Sequence, residues 1–167
     1  MDDPNIIVIG SQAILGSYSE DQLPPEAVLS MEADIAFRDD PDERKGDAVD
    51  GAIGEGSSFH SMNSYYAQGV GVGTATLPDG WEARVVAYER RDAEPSRAVC
   101  LEPHDLVVSK LVAGREKDND FAISLIAAGL VDPATLHERA ATLPLPGGAV
   151  RRVQAAIDRC ARRATES

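Results

Sequence analysis

Asn5-Ile6-Ile7-Val8-Ile9-Gly10-Ser11 is a β-branched run closed by two small residues. Consecutive branched apolar side chains suit a strand covered on both faces, and Gly-Ser suits a tight turn leaving it. The stretch predicts a buried strand over 5–9, against which the rest of the chain is placed. Gln12 to Tyr18 is compatible with a short helix. Leu23-Pro24-Pro25-Glu26 suits a helix start, because a proline at the first helical position gives up an N–H that has no partner there anyway. Ala33-Asp34-Ile35-Ala36-Phe37 reads as a second strand, with Ala33, Ile35 and Phe37 on one face and Glu32 and Asp34 on the other.

Asp39-Asp40-Pro41-Asp42 is a helix-start signature: an acidic cap, a proline and further acid where the helix dipole is positive. The helix it opens is expected to run to about Ile53, with Ala48, Val49, Ala52 and Ile53 as its apolar stripe, and to stop at Gly54 and Gly56. Residues 57–66 mix serines with Phe59, His60, Tyr65 and Tyr66 and predict a loop leading into a strand. Gln68 to Leu77 alternates in the β manner, Leu77-Pro78-Asp79-Gly80-Trp81 is a turn, and Glu82 to Tyr88 returns as a strand. Residues 68–88 therefore predict a hairpin. Gly69-Val70-Gly71-Val72-Gly73 has no helix after it, so it reads as a strand packed closely against a neighbour rather than as a phosphate loop.

Beyond Glu102-Pro103 the pattern is helical. Pro103 to Ala113 places Leu106, Val107, Lys110 and Leu111 on one face, and Gly114 interrupts it. Lys117 to Ala128 is apolar around most of its circumference and stops at Gly129. Asp132-Pro133 opens a short helix. After Gly147-Gly148 a last one carries Val150, Val153, Ile157, Cys160 and Ala164 as a seam, with Arg152, Arg159 and Arg163 on a solvated face. The order predicts an α+β fold. A mixed sheet core covers residues 1–100, and a helical part over 101–167 packs on it as one compact unit.

The 167 residues suffice for one domain with one core. The chain has 28 acidic and 16 basic side chains, a net charge of -12, distributed unevenly. Residues 1–60 hold 14 acids against 3 bases, and residues 134–167 hold 3 against 6. Extensive binding to nucleic acid or an anionic membrane needs a basic surface and is not expected, although the composition leaves room for a local basic patch near the C-terminus. The acidic start Met1-Asp2-Asp3 lacks the basic region of an export signal, so a cytoplasmic location is expected. The nearly apolar stretch from Ile123 to Val131 is too short to span a bilayer. Cys100 and Cys160 are too few for a disulfide framework. His60, His104 and His137 have no ligand spacing, which argues against structural zinc.

Three features carry possible chemistry. Gly10-Ser11 after a buried strand exposes backbone N–H groups and a hydroxyl, a seat for phosphate oxygens, or is simply a turn. Glu32-Ala33-Asp34 places two carboxylates on one strand face, roughly 6.5–7 Å apart at the backbone. Two such groups repel one another unless a divalent cation lies between them, and Mg²⁺ takes oxygen ligands at about 2.0–2.1 Å. The alternative is a solvent-facing edge strand. Finally, Lys110, Arg115 and Lys117 gather positive charge at a helix–helix junction, with Asp118 or Asp120 to orient them or to cap the next helix. A plain salt-bridged junction is the alternative there.

Strand, Gly-Ser, short helix, paired carboxylates and a distal Lys…Arg-x-Lys-Asp segment together resemble the polymerase-beta-type nucleotidyltransferase superfamily. More narrowly, they resemble a bacterial nucleotidyltransferase-like family related to abortive-infection and toxin–antitoxin nucleotidyltransferases. The resemblance rests on Ile9 through Ser17, Ser30 through Asp34, Gly51 through Ser57 and Asp105 through Asp118. It implies that Gly10, Ser11 and Gln12 bind nucleotide phosphates with Arg115, Lys117 and Asp118. It further implies that Glu32, Asp34 and Lys110 are catalytic, and that Glu32 and Asp34 hold Mg²⁺ or Mn²⁺. Glu82 is the candidate for the third carboxylate usual on a later strand. The carboxylates follow Gly-Ser later than is usual in that superfamily. In an alternative register Asp34 is the first acid and Ala36 stands where the second belongs, which breaks the metal site.

The activity so implied is Mg²⁺-dependent transfer of a nucleoside monophosphate from an NTP to a protein, an RNA end or a small molecule. The alternative is a catalytically silent nucleotidyltransferase fold serving as a protein-binding module or antitoxin. A homodimer built on the last helix seam is a third arrangement the sequence allows.

Overall fold

The computed structural model describes residues 6–88 and 98–166; Asn5 of the first expected strand lies outside them. The branched run forms β1 (Ile6–Val8), and the carboxylate-bearing run forms β2 (Glu32–Phe37). Between them Ser11–Gly16, Glu20–Gln22 and Pro25–Ala27 wind as short 3-10 turns. The acidic segment after β2 leads into α1 (Arg44–Ile53), which starts later than expected. The cap works all the same: Asp40 Oδ2 accepts from the backbone N–H groups of Lys45 and Gly46, each at 2.9 Å.

Residues 57–66 are not simply a loop. Ser57 accepts from the His60 N–H and caps the six-residue helix α2 (Ser58–Asn63). β3 (Tyr66–Gly69) follows and pairs parallel with β2, Asp34 opposite Gln68. A Cβ on Gly69 would meet the backbone of Gly46, so the glycine-rich segment does pack closely against a neighbour, helix α1.

The expected hairpin over 68–88 does not form. After β3 the chain passes through 3-10 turns at Val72–Thr74 and Trp81–Ala83 to β4 (Val86–Ala87), which pairs with β5 (Val99–Cys100). The sheet order is β3-β2-β1-β5-β4, so the two supposed hairpin arms occupy opposite edges. β2 runs antiparallel to β1, while β5 runs parallel to β1. The α+β mixed sheet is as the sequence order implies.

Four helices follow: α3 (Pro103–Ala113), α4 (Glu116–Ala127), α5 (Pro133–Ala141) and α6 (Gly147–Glu166). The predicted bounds for these agree to within a residue or so, because Pro and Gly punctuate each one. Ile7, Ala36 and Leu101 of the sheet join Leu106, Leu125, Leu136 and Ile157 of the helices in one buried cluster. Val153, Ile157 and Cys160 of the α6 seam are buried in that cluster and so belong to the chain's own core. No helix among the described residues is long and apolar enough to cross a membrane.

Candidate functional site

The polar positions of β2 open into a cleft of about 380 Å³. Its floor is Ile9, Gly10 and Ser11 at the end of β1 together with Glu32 and Asp34 of β2. Lys110 of α3 and Arg115 and Lys117 at the α3–α4 corner line the opposite wall. Residues some eighty apart in sequence thus face one space, because α3 packs on the turn Ser11–Gly16 that leaves β1 and α4 packs on the turn Pro25–Ala27 that leads to β2. Ala36 continues the face of Glu32 and Asp34 inward but is fully buried, so the acids available to the cleft are Glu32 and Asp34.

The corner owes its sharpness to Gly114, whose φ of +69° is left-handed backbone that glycine adopts without Cβ strain. One residue later α4 begins, so Lys110 in the last turn of α3 and Arg115 and Lys117 at the start of α4 converge. Asp118 binds them together from inside. Its Oδ2 accepts from the Arg115 backbone N–H at 3.2 Å and from Arg115 Nε at 2.7 Å, and its Oδ1 accepts from Arg115 Nη2 at 3.1 Å. Lys110 Nζ lies 3.5 Å from the same Oδ1 and 5.1 Å from the centre of the Phe121 ring. The Asp118 side chain is only 1% exposed. It therefore holds the two cations and accepts from the N-cap N–H of α4, the orienting and capping roles expected at this junction.

The electrostatics divide the cleft in two. Burial, opposed by Lys110, Arg115 and Lys117, leaves the Asp34 carboxyl above its ordinary value. Burial and the neighbouring Asp34 charge raise that of Glu32. Two carboxyls so perturbed favour a proton or a bound cation over bare charge. Burial lowers Lys110 despite its Asp118 partner. Asp118 also feels burial, but the Arg115 hydrogen bonds and the Lys110 charge outweigh it and hold its carboxyl below the usual range.

Two expected participants stand elsewhere. Gln12 Nε2 donates to the Ser30 carbonyl at 2.5 Å and lines a hollow on the other side of the sheet, with Val8, Ala33 and Cys100. Glu82, expected on a strand, sits exposed on the 3-10 turn Trp81–Ala83 and is not among the residues lining the cleft. No group of three His, Cys, Asp or Glu side chains suited to a metal gathers among the described residues. Ser30, Gln68 and Ser109 line the cleft and were missed in the sequence. Gln68 arrives there through its register with Asp34, a pairing that alternation alone does not reveal. Ser30 is placed by its own turn, its Oγ donating to the Glu32 carbonyl at 3.1 Å.

A family model described as nucleotidyltransferase of unknown function (DUF6036) matches residues 1–145, which include every residue of this cleft. No curated protein and no solved structure matches the chain.

Proposed function

The chain belongs to this family of nucleotidyltransferases of unknown function, and from that premise we propose that it transfers a nucleoside monophosphate from an NTP to an acceptor hydroxyl. The observation that carries the reading is the single cleft in which Glu32 and Asp34 face Lys110, Arg115 and Lys117. Kinship with toxin–antitoxin and phage-defence systems belongs to the same proposal, as does a cytoplasmic setting.

The donor set suits Mg²⁺ or Mn²⁺. Mg²⁺ commonly takes one or two protein carboxylates and completes its shell with substrate phosphates and water, so two acids suffice. Glu32 and Asp34 would hold it, and the raised carboxyls mark a place where added positive charge is favourable. When bound, the ion supplies charge neutralisation and Lewis acidity at the phosphates.

The remaining work falls to the chain. Gly10 and Ser11 seat the phosphates at the end of β1. Arg115, preset by Asp118, presents its guanidinium to two phosphate oxygens, and Lys117 adds a point charge. Lys110, largely buried behind them, stabilises the charge that develops on the departing pyrophosphate. The acceptor oxygen bonds to the α-phosphorus and the bond to the β-bridging oxygen breaks, with no covalent protein intermediate.

Calorimetric titration of each NTP with Mg²⁺ into the wild type and a Glu32→Ala/Asp34→Ala variant tests the reading. Mg²⁺-dependent binding that the variant loses is expected, and no binding of any NTP at millimolar concentration refutes it. Transfer of α-labelled but not γ-labelled phosphate distinguishes nucleotidyl transfer from kinase chemistry. The position of Glu82 favours one second reading, a silent fold that binds a partner protein; NTP binding without any transfer would select it.

A further inference from the structure

The cleft has two unlike ends. At one, a hollow of about 320 Å³ shares Ser11, Ser30, Lys110 and Lys117 with it. At the other, a broader hollow of about 1000 Å³ shares Gln68, Val70 and Thr74. Glu32 and Asp34 line the cleft but neither of these hollows. The strands run in the same order. The Ile9 N–H donates to the Asp34 carbonyl at 3.0 Å on one side, and Asp34 pairs with Gln68 on the other.

The first end is cationic and the second is neutral. After Gln68 it is lined by Val70, Thr74, Ala75 and Thr76. The broader hollow beyond holds Asp39, Asp40, Glu43 and Asp47 against the single base Arg38. This polarity orients a nucleoside triphosphate. With the departing pyrophosphate at Lys110 and Arg115, the α-phosphate lies against Asp34 and the nucleoside extends toward Gln68. A ligand turned end for end would carry its phosphates toward the acids of the broader hollow, where like charges repel.

Gln68 stands directly across from Asp34 in the parallel pair, one strand spacing of about 4.8 Å farther along the same face. It is exposed, and its carboxamide makes no hydrogen bond among the described residues. The sugar follows the α-phosphate in the ligand, so it is the sugar that comes level with this side chain. A carboxamide offers both a donor and an acceptor, as a hydroxyl does. Val70 continues the same face two residues on, its N–H bonded to the Ile35 carbonyl at 2.9 Å, and gives the base an apolar contact. No aromatic side chain lines the cleft among the described residues, so stacking does not hold the base and the sugar contact matters more.

Resting on the nucleotidyl-transfer reading, we propose that Gln68 reads the sugar. Its carboxamide hydrogen-bonds a hydroxyl of the ribose, and the protein selects ribonucleotides over deoxynucleotides. Because Gln68 is exposed, the selectivity is that of one water-accessible hydrogen bond, about tenfold, and not the far larger rejection achieved by a buried site.

Calorimetry on the full chain with Mg²⁺ tests this. The ligands are ATP, GTP, CTP and UTP, the 2′-deoxy and 3′-deoxy form of each, and tripolyphosphate. The proteins are the wild type, Gln68→Ala and Gln68→Leu. The wild type is expected to bind at least one deoxy form of its tightest NTP about tenfold more weakly than the NTP itself, the worth of one such bond. The arm that loses affinity identifies the hydroxyl. Both variants should abolish that preference and leave tripolyphosphate affinity as it is in the wild type. A ratio of affinities is insensitive to a general loss of folded protein, and leucine keeps the bulk of the side chain on the strand. No preference in the wild type, or a preference that both variants retain, overturns the assignment of Gln68 alone. An equal loss of tripolyphosphate affinity in the variants also overturns it, because Gln68 would then act through Asp34. Failure of the wild type to bind any NTP overturns the transfer reading instead.

Discussion

The carboxylate of Asp34 lies against the Cα of Gly10, so close that a Cβ at position 10 would overlap its Oδ2. The backbone of Gly10 is extended (φ -83°), so alanine is conformationally acceptable there and the cost is the contact itself. Gly10→Ala is expected to push the Asp34 side chain out of the cleft. NTP binding should weaken at least tenfold, and stability should fall by roughly 1–3 kcal/mol, as for other overpacked sites. In an Asp34→Ala background the same substitution should cost almost nothing. A double-mutant cycle in thermal denaturation reads this, and simple additivity of the two changes would exclude the contact as the cause.

The two cleft acids should destabilise the unliganded protein. Burial raises the Asp34 carboxyl above its ordinary 3.8, with the sheet and helices supplying the desolvation. A raised carboxylate favours the protonated folded form, so its penalty grows as pH rises from near 3.8 through the raised value and is complete above it. Asp34→Asn should therefore raise the melting temperature at neutral pH without metal, and the gain should shrink as pH approaches 3.8. Mg²⁺ with NTP should reverse the ranking by stabilising only the wild type. Differential scanning fluorimetry at several pH values, with and without Mg²⁺ and NTP, measures both effects.

What could be read from the chain before folding was what local pattern encodes. Gly10-Ser11, the i,i+2 carboxylates and the Gly114 corner are each written within a few residues, and they come together on one cleft. The strand expected over 68–77 is confined to β3 (Tyr66–Gly69), and its partner was not legible. Alternation specifies a face and says nothing of which edge the strand joins, while the close approach of Gly69 to Gly46 is a contact between distant segments. Asp118 was legible as a partner of the basic corner, but neither its burial nor that of Asp105 was, although their side chains are each only 1% exposed. Burial of a charge depends on arginines and lysines supplied by other turns, which no short window of sequence contains.

Asp118 should be the most stability-sensitive residue of the site. Removing a buried partner leaves its counter-charges uncompensated, at about 3–5 kcal/mol for Asp118→Ala. Its carboxyl is held below 3.8 although burial opposes this, because Arg115 and Lys110 outweigh it. The stabilisation it provides is thus complete above about pH 3.8 and is lost as pH falls through the lower folded value. Arg115→Ala should behave differently. Its side chain is 58% exposed, so the stability cost should stay within about 1 kcal/mol while NTP affinity drops. Urea denaturation and NTP titration on the two variants separate the roles, and equal stability losses would contradict the assignment of Asp118 as the holder of Arg115.

A second buried acid offers a control away from the cleft. Asp105, in the first turn of α3, accepts a bidentate pair from Arg84, Nε to Oδ2 at 2.8 Å and Nη2 to Oδ1 at 3.0 Å. Arg139 Nε approaches the same carboxylate only to 3.6 Å and makes no hydrogen bond among the described residues. The shorter, forked pair should dominate. Arg84→Ala should cost about 3–5 kcal/mol, because it strands a fully buried carboxylate, and Arg139→Ala should cost clearly less. Neither arginine lines the cleft, so NTP affinity well below the melting temperature should remain that of the wild type. Chemical denaturation gives the stability ranking and calorimetry the affinity; an Arg139→Ala loss as large as that of Arg84→Ala would mean that both arginines share the burden of Asp105 equally.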